Sequence, residues 1–140
     1  MPARFHRHGV SFQYPENWQL VPENYQSGWA VTVQSPGTAF LTVTCDQSKV
    51  GMGKLADDAL RILGEEYKQM DVTPFSGSIA GLPAIGHDVD FFSFDLTNSC
   101  LIRAITIDDG VLLLVGQASD LEEKQLAVIR AMIASIEIDD

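Results

Sequence analysis

Apolar and polar positions alternate in short runs along most of the chain, and twice that alternation gives way to helical spacing. Val10, Phe12 and Tyr14 alternate with Ser11 and Gln13, the period-two pattern of a strand with one wet face. Pro15-Glu16-Asn17 stops the run, and Trp18 to Val21 continues it as a short extended piece. Trp29, Val31 and Val33 form the next alternating set, Ser35-Pro36-Gly37 turns the chain, and Ala39, Leu41, Val43 and Cys45 share one face of the return strand. Those two runs predict an antiparallel hairpin.

After Gly53 the period lengthens. Leu55, Ala59, Leu63 and Tyr67 recur every fourth residue, with Ile62 and Met70 beside them, which predicts an amphipathic helix over 54–70. Asp57 and Asp58 lie toward its start, the end at which the helix dipole favours acids. Three more strands are expected: Val72 to Ala80, a long run from Ala84 to Leu96 ending at Thr97-Asn98, and Cys100 to Ile107 ending at Asp108-Asp109-Gly110. The last strand, Val111 to Val115, is apolar at every position and therefore needs cover on both faces. Ser119 followed by Glu122 has the spacing of a capping box. The helix beyond it presents Leu121, Gln125, Ile129, Met132 and Ile136 on one stripe, widened by Leu126 and Ile133.

The elements predict an α+β fold over residues 1–140 as one domain. Its centre would be a mainly antiparallel sheet of about six or seven strands, with helix or other structure on each side of it or a closed-over core. At 140 residues and 46% apolar composition the chain has material for one good core, and splitting it would leave pieces too small to hold one.

Charge narrows the function classes. Nineteen acidic side chains stand against nine basic ones, a formal net charge of −10. A nucleic-acid partner is not expected, because phosphate-backbone binding depends on Lys and Arg displacing counterions. Membrane insertion is not expected either, since no apolar run approaches the ~20 residues needed to span a bilayer. The start carries no apolar leader segment, and Cys45 and Cys100 are too few for a disulfide framework, so a cytoplasmic location is expected.

The stretch most like a site is His87-Asp88-Val89-Asp90. In a strand Asp88 and Asp90 share one face, roughly 7 Å apart, and could hold a metal or share a proton, while His87 points to the other face. One strand offers too few ligands, and a solvated acidic strand edge that discourages sheet-to-sheet pairing accounts for the same residues. A small hydrolase or ligand-binding protein built on these carboxylates would need them to converge in a pocket with a basic residue such as Arg103.

His6 and His8 share an alternation but fall in a terminus expected to fray and stay exposed. Cys45 lies on an apolar face and Cys100 opens a strand where it could be more exposed; nothing sets a His beside either, and both are expected to be structural. Phe75-Ser76-Gly77-Ser78-Ile79 lacks the first Gly of a nucleophile elbow. Gly51-Met52-Gly53-Lys54 lacks the spacing and the Ser or Thr of a phosphate loop, although a glycine-bearing turn into a helix could bind an anion. Trp18, Trp29 and the run Phe91-Phe92-Ser93-Phe94 complete the candidates. Phe91 and Phe92 cannot both face inward in a regular strand; with both faces of the sheet covered, both rings are nevertheless expected to be buried, through a bulge. One exposed ring would make a docking spot.

The opening Gly9-Val10-Ser11-Phe12-Gln13-Tyr14-Pro15-Glu16-Asn17-Trp18, an aromatic strand followed by Pro and Trp, resembles the entry of the PsbP/Mog-like superfamily. The run Val111-Leu112-Leu113-Leu114-Val115-Gly116-Gln117-Ala118 into an acidic-started helix, closing at Ala134-Ser135-Ile136, is similar to that group's end. The resemblance implies an α-β-α sandwich and a binding protein rather than an enzyme. Members include lumenal photosystem II proteins, a Ran-binding nuclear import factor, and bacterial domains of which some chaperone secreted effectors. The matching residues are packing motifs, so no partner-binding residue carries over. The absence of a transit peptide and the two unpaired cysteines speak against a thylakoid or secreted role. The expected function is a non-catalytic binding module for a protein or peptide partner. We assign it no catalytic, cofactor-binding or metal-ligating residue and no cofactor, with self-association as a further possibility.

Overall fold

The computed structural model describes residues 2–139. Along the chain lie β1 (Ala3–Arg7), β2 (Val10–Tyr14), β3 (Gln19–Glu23), β4 (Gly28–Gln34), β5 (Phe40–Asp46), α1 (Met52–Glu66), β6 (Met70–Ile79), β7 (Leu82–Ser93), β8 (Leu96–Ile107) and β9 (Gly110–Ser119). A 3-10 turn (Asp120–Glu122), α2 (Glu123–Ala134) and β10 (Glu137–Ile138) follow. Seven strands form one antiparallel sheet in the order β3-β4-β5-β9-β8-β7-β6, and β1-β2-β10 form a smaller one. The expected α+β architecture and seven-stranded central sheet are therefore present. The second sheet, which takes Val10–Tyr14 out of the main one, was not anticipated.

The all-apolar strand explains the layering. On β9, Leu112 and Leu114 join the core beneath α2, with Ile129, Met132 and Ile133. Val111, Leu113 and Val115 join a second cluster beneath α1, with Ala56, Val89, Phe91 and Ile102. A strand apolar on both faces is covered on both faces, as its pattern demanded. The small sheet adds Phe5, Val10 and Phe12 to the α2-side core, and the Phe5 and Phe12 rings stack at 4.9 Å. Both edge strands of the main sheet carry a proline, Pro22 on β3 and Pro74 on β6, which blunts the exposed ladder.

Local chemistry moved several boundaries. The N-terminal residues pair as β1 rather than fraying: Phe5 is their only buried large apolar side chain, so little periodicity could be seen. Helix α1 ends at Glu66, earlier than expected, because Tyr67 turns extended and stacks on Phe91 at 4.1 Å. Ile62 stands outside the apolar stripe, exposed, and no acidic residue lies in the first turn of α1. The Ser119–Glu122 capping box does not form; Glu122 instead accepts hydrogen bonds from the Thr38 backbone N–H, at 3.0 Å, and from the Thr38 hydroxyl. That contact ties α2 to the β4–β5 loop. In the β8–β9 hairpin the turn residues are Asp108 and Asp109, and Gly110 begins the strand. Glycine is needed there for close approach, since a Cβ at Gly110 would fall 2.1 Å from the Asp46 carbonyl oxygen.

Candidate functional site

Strand β7 is not an edge: it lies between β6 and β8, so the acidic-edge reading of Asp88 and Asp90 does not hold. Strand alternation sends His87 to the α1 face, where its Nε2 sits 3.0 Å from Asp57 Oδ1. Asp88 faces the α2 side, where Arg103 Nη1 lies 2.7 Å from its Oδ1. That oxygen is buried and has no well-aligned donor, so the contact is an ion pair rather than a directed hydrogen bond. Asp90 does not join them; it is exposed and accepts a 2.7 Å bond from the Ser99 hydroxyl. The two carboxylates thus serve different partners, one of them the expected Arg103.

Arg103 is only 3% exposed. Its Cζ lies 3.6 Å from the centre of the Phe75 ring, and Nη1 also donates to the Ile102 and His87 carbonyls at 3.0 and 3.4 Å. Gly86, opposite Arg103 in the β7–β8 register, makes room for this: a Cβ there would fall 1.7 Å from the Ile102 carbonyl oxygen. A guanidinium on an inward position of a central strand is costly unless paired, and Asp88, the carbonyls and the Phe75 face together stabilise it. Beside it opens a cavity of about 330 Å³ between β6, β8 and α2, lined by Phe75, Leu101, Arg103, Arg130 and Ile133 among others.

At one end of the same sheet is an aromatic surface. Phe91 is buried, but Phe92 is 64% and Phe94 95% exposed. The expectation that both Phe91 and Phe92 would be buried fails because β7 has no bulge here: both pair regularly with β8, so successive side chains point to opposite faces. Thr97 and Asn98 pair within β8 instead of turning, and the tip is the two-residue turn Phe94-Asp95. Both residues have positive φ, 53° and 61°, the primed geometry that suits hairpins. The other tight turns of that kind, His8-Gly9 and Ala80-Gly81, place glycine second; this one holds no glycine. Leu121, 77% exposed, lies at the same end, since Phe92 pairs with Thr97 and Asn98 pairs with Ser119.

The remaining candidates are held apart. His6 Nε2 bonds Asp139 at 2.9 Å, and His8 sits in the β1–β2 turn, its ring 5.4 Å from that of Trp29. Cys45 and Cys100 are both buried, on opposite faces of the sheet. Cys100 is 1% exposed, which corrects the expectation that it could be more exposed, and that burial pushes its thiol up to about 12. Lys54 bridges to Asp58 at 2.8 Å along α1, so the Gly51 turn does not direct it as a phosphate loop would. Ser76 and Ser78 lie within β6, not at a strand-to-helix elbow. Among the described residues no group of three or more His, Cys, Asp or Glu is placed to share a metal ion, and no helix is long and apolar enough to cross a membrane.

No family model matches the chain, and no curated protein does. Solved structures do. Cyanobacterial PsbP (CyanoP) from Synechocystis sp. PCC 6803 is similar with a TM-score of 0.69 at 12% identity, over 98% of this chain and 92% of that one. A protein from Bacteroides thetaiotaomicron VPI-5482 gives 0.63 at 12% identity, over 98% of this chain and 48% of that one. LpqN, involved in cell envelope biogenesis of Mycobacterium tuberculosis, gives 0.56 at 14% identity, over 100% and 91%. The chain therefore shares its fold with cyanobacterial PsbP, in line with the resemblance of its opening and closing runs. At these identities the likeness speaks to fold alone.

Proposed function

We propose that this protein is a non-catalytic binding module for a protein or peptide partner, docking through the end of the sheet that carries Phe92, Phe94 and Leu121. The observation that carries the reading is Phe94: a large aromatic ring, 95% exposed, on a turn whose geometry disfavours it. A bulky residue at positive φ gives up local stability, and such strain concentrates where a surface is used. Aromatic side chains are also the residues that interfaces favour. Rings at 92 and 94, with Leu121 at the same end of the sheet, supply apolar anchors, and Thr38, Asn98 and Gln117, which line a pocket with Phe94, supply polar neighbours.

Two buried thiols on opposite sheet faces support a reducing compartment, and we place the module in the cytoplasm. The competing reading, catalysis by strand carboxylates, is weakened because Asp88 and Asp90 are held by separate partners. A photo-reactive phenylalanine analogue at position 94 should cross-link one partner in native extract, and the same analogue at Lys49, exposed at the opposite end of the sheet, should not. Turnover of a simple ester, phosphate or amide by purified protein, abolished by one point change, would overturn the proposal.

A further inference from the structure

We propose that the cavity between β6, β8 and α2 is a second binding site, independent of the aromatic end, for a monocarboxylate carried on an apolar group. On a protein of net charge −10, its wall holds two guanidinium groups, Arg103 and Arg130, and no acidic side chain. Asp88 offsets one of them, which leaves one positive charge to meet a ligand. Among the described residues Arg130 has no ion-pair partner, and it is exposed at the rim.

Arg103 makes each of its polar contacts through Nη1, to Asp88, Ile102 and His87. The other two nitrogens of its fork stay available for a ligand in the cavity that it lines, and a guanidinium fork matches the two oxygens of a carboxylate. A buried ion pair adds little to stability compared with an apolar pair of the same size, so packing alone does not call for this one. Phe75 fixes the plane of the guanidinium from one side.

The rest of the cavity sets the class of ligand. Ile79, Leu101, Ile133 and the Phe75 ring are apolar walls, and Ser78 adds one hydroxyl. Its volume, about 330 Å³, is at the lower end for small-molecule sites, enough for an aryl or short acyl chain. A dianion would bring a second charge that nothing here neutralises, and the protein's overall field opposes it. The carboxylate could belong to a free acid or to a peptide C-terminus ending in an apolar residue.

Backbone amide spectra of the full chain, titrated with 3-phenylpropionate, distinguish these cases. Saturable shifts are expected at Ser78, Ile79, Leu101, Arg103 and Ile133. 3-Phenylpropanamide and phenyl phosphate should each bind at least about tenfold more weakly, and Arg130→Met, a surface change, should weaken the acid by about tenfold while preserving the spectrum elsewhere. Binding of Ala-Ala-Phe with a free but not an amidated C-terminus would assign the natural source to a peptide end; binding of the free acid alone would assign it to a small molecule. No saturable shift, equal binding of acid and amide, tighter binding of phenyl phosphate, or shifts outside the cavity would overturn the site.

Discussion

Replacing the turn Phe94-Asp95 by Asn-Gly should make the protein more stable while removing its proposed docking anchor. Both residues hold positive φ, which costs an L-residue roughly 1–2 kcal/mol, somewhat less for Asp, and is free of that penalty for Gly. Asn-Gly is the pair this turn geometry prefers. Against that gain stands the burial lost with Phe94. The side chain is 95% exposed, so of the roughly 200 Å² a phenylalanine can bury only about 10 Å² is covered, worth ~0.3 kcal/mol. Glycine's freedom in the unfolded chain subtracts about 0.5–1 kcal/mol more. The net expectation is a gain of about 1 kcal/mol, or an increase in Tm of about 3–5 °C for a chain of this length. Urea and thermal unfolding followed by tryptophan fluorescence measure it directly. A loss of 1 kcal/mol or more would refute the reasoning, because it would mean that Phe94 contributes to the fold and its exposure needs no functional account.

Other outcomes follow from the same geometry. Gly86→Ala should destabilise by about 3 kcal/mol or more, read by urea unfolding, because its Cβ meets the Ile102 carbonyl oxygen and would push β7 off β8 beside Arg103. Burial, then the hydrogen bond to Asp46, push the Tyr25 hydroxyl up to about 12, so its stabilising contribution is in place below the ordinary tyrosine value and is lost as pH rises through about 12. Tyrosinate absorbance should show two late-ionising tyrosines, Tyr25 and Tyr67, of which only Tyr25 titrates earlier in Asp46→Asn. Burial raises the Asp46 carboxyl, but hydrogen bonds from Ser48 and Tyr25 outweigh it and hold it below the ordinary value. Its contribution is therefore present above about pH 4 and lost as pH falls through the lowered value, so the stability gap between wild type and Asp46→Asn should close in acid. Neither Cys45 nor Cys100 should react with a thiol reagent at neutral pH in the folded protein, and both should react in denaturant, because burial raises both thiols.

Much of the fold was legible because it depends on burial that repeats. Val31, Val33, Leu41 and Val43 announced their strands, and the unbroken run through β9 announced two covered faces. What escaped were features set by contacts distant in sequence. Strand β1 shows one buried large apolar side chain and becomes a strand only by pairing with β2. Thr97-Asn98 has turn chemistry, but the pairing of Phe91 with Asn98 and Phe92 with Thr97 carries the strand past it and leaves Phe94-Asp95 to turn. Glu122 has cap spacing but reaches Thr38 across the fold. At the candidate sites, alternation correctly separated His87 from Asp88, whereas Arg103, named as the basic residue on which both carboxylates would converge, pairs with Asp88 but not with Asp90. The signal for the buried guanidinium was a lone charge within Cys100-Leu101-Ile102-Arg103-Ala104-Ile105. Arg130 carried no such signal, because an exposed arginine on a helix looks like any solvated face and only the packing of α2 brings it to the cavity.

The central claim is that the aromatic end of the sheet binds a partner. Affinity capture from native extract, with wild type and the Asn-Gly turn variant side by side and mass spectrometry of what each retains, tests it most directly. The account predicts one protein retained stoichiometrically by wild type and lost from a variant that is at least as stable. Equal retention by both, or nothing specific to either at low salt, would contradict it.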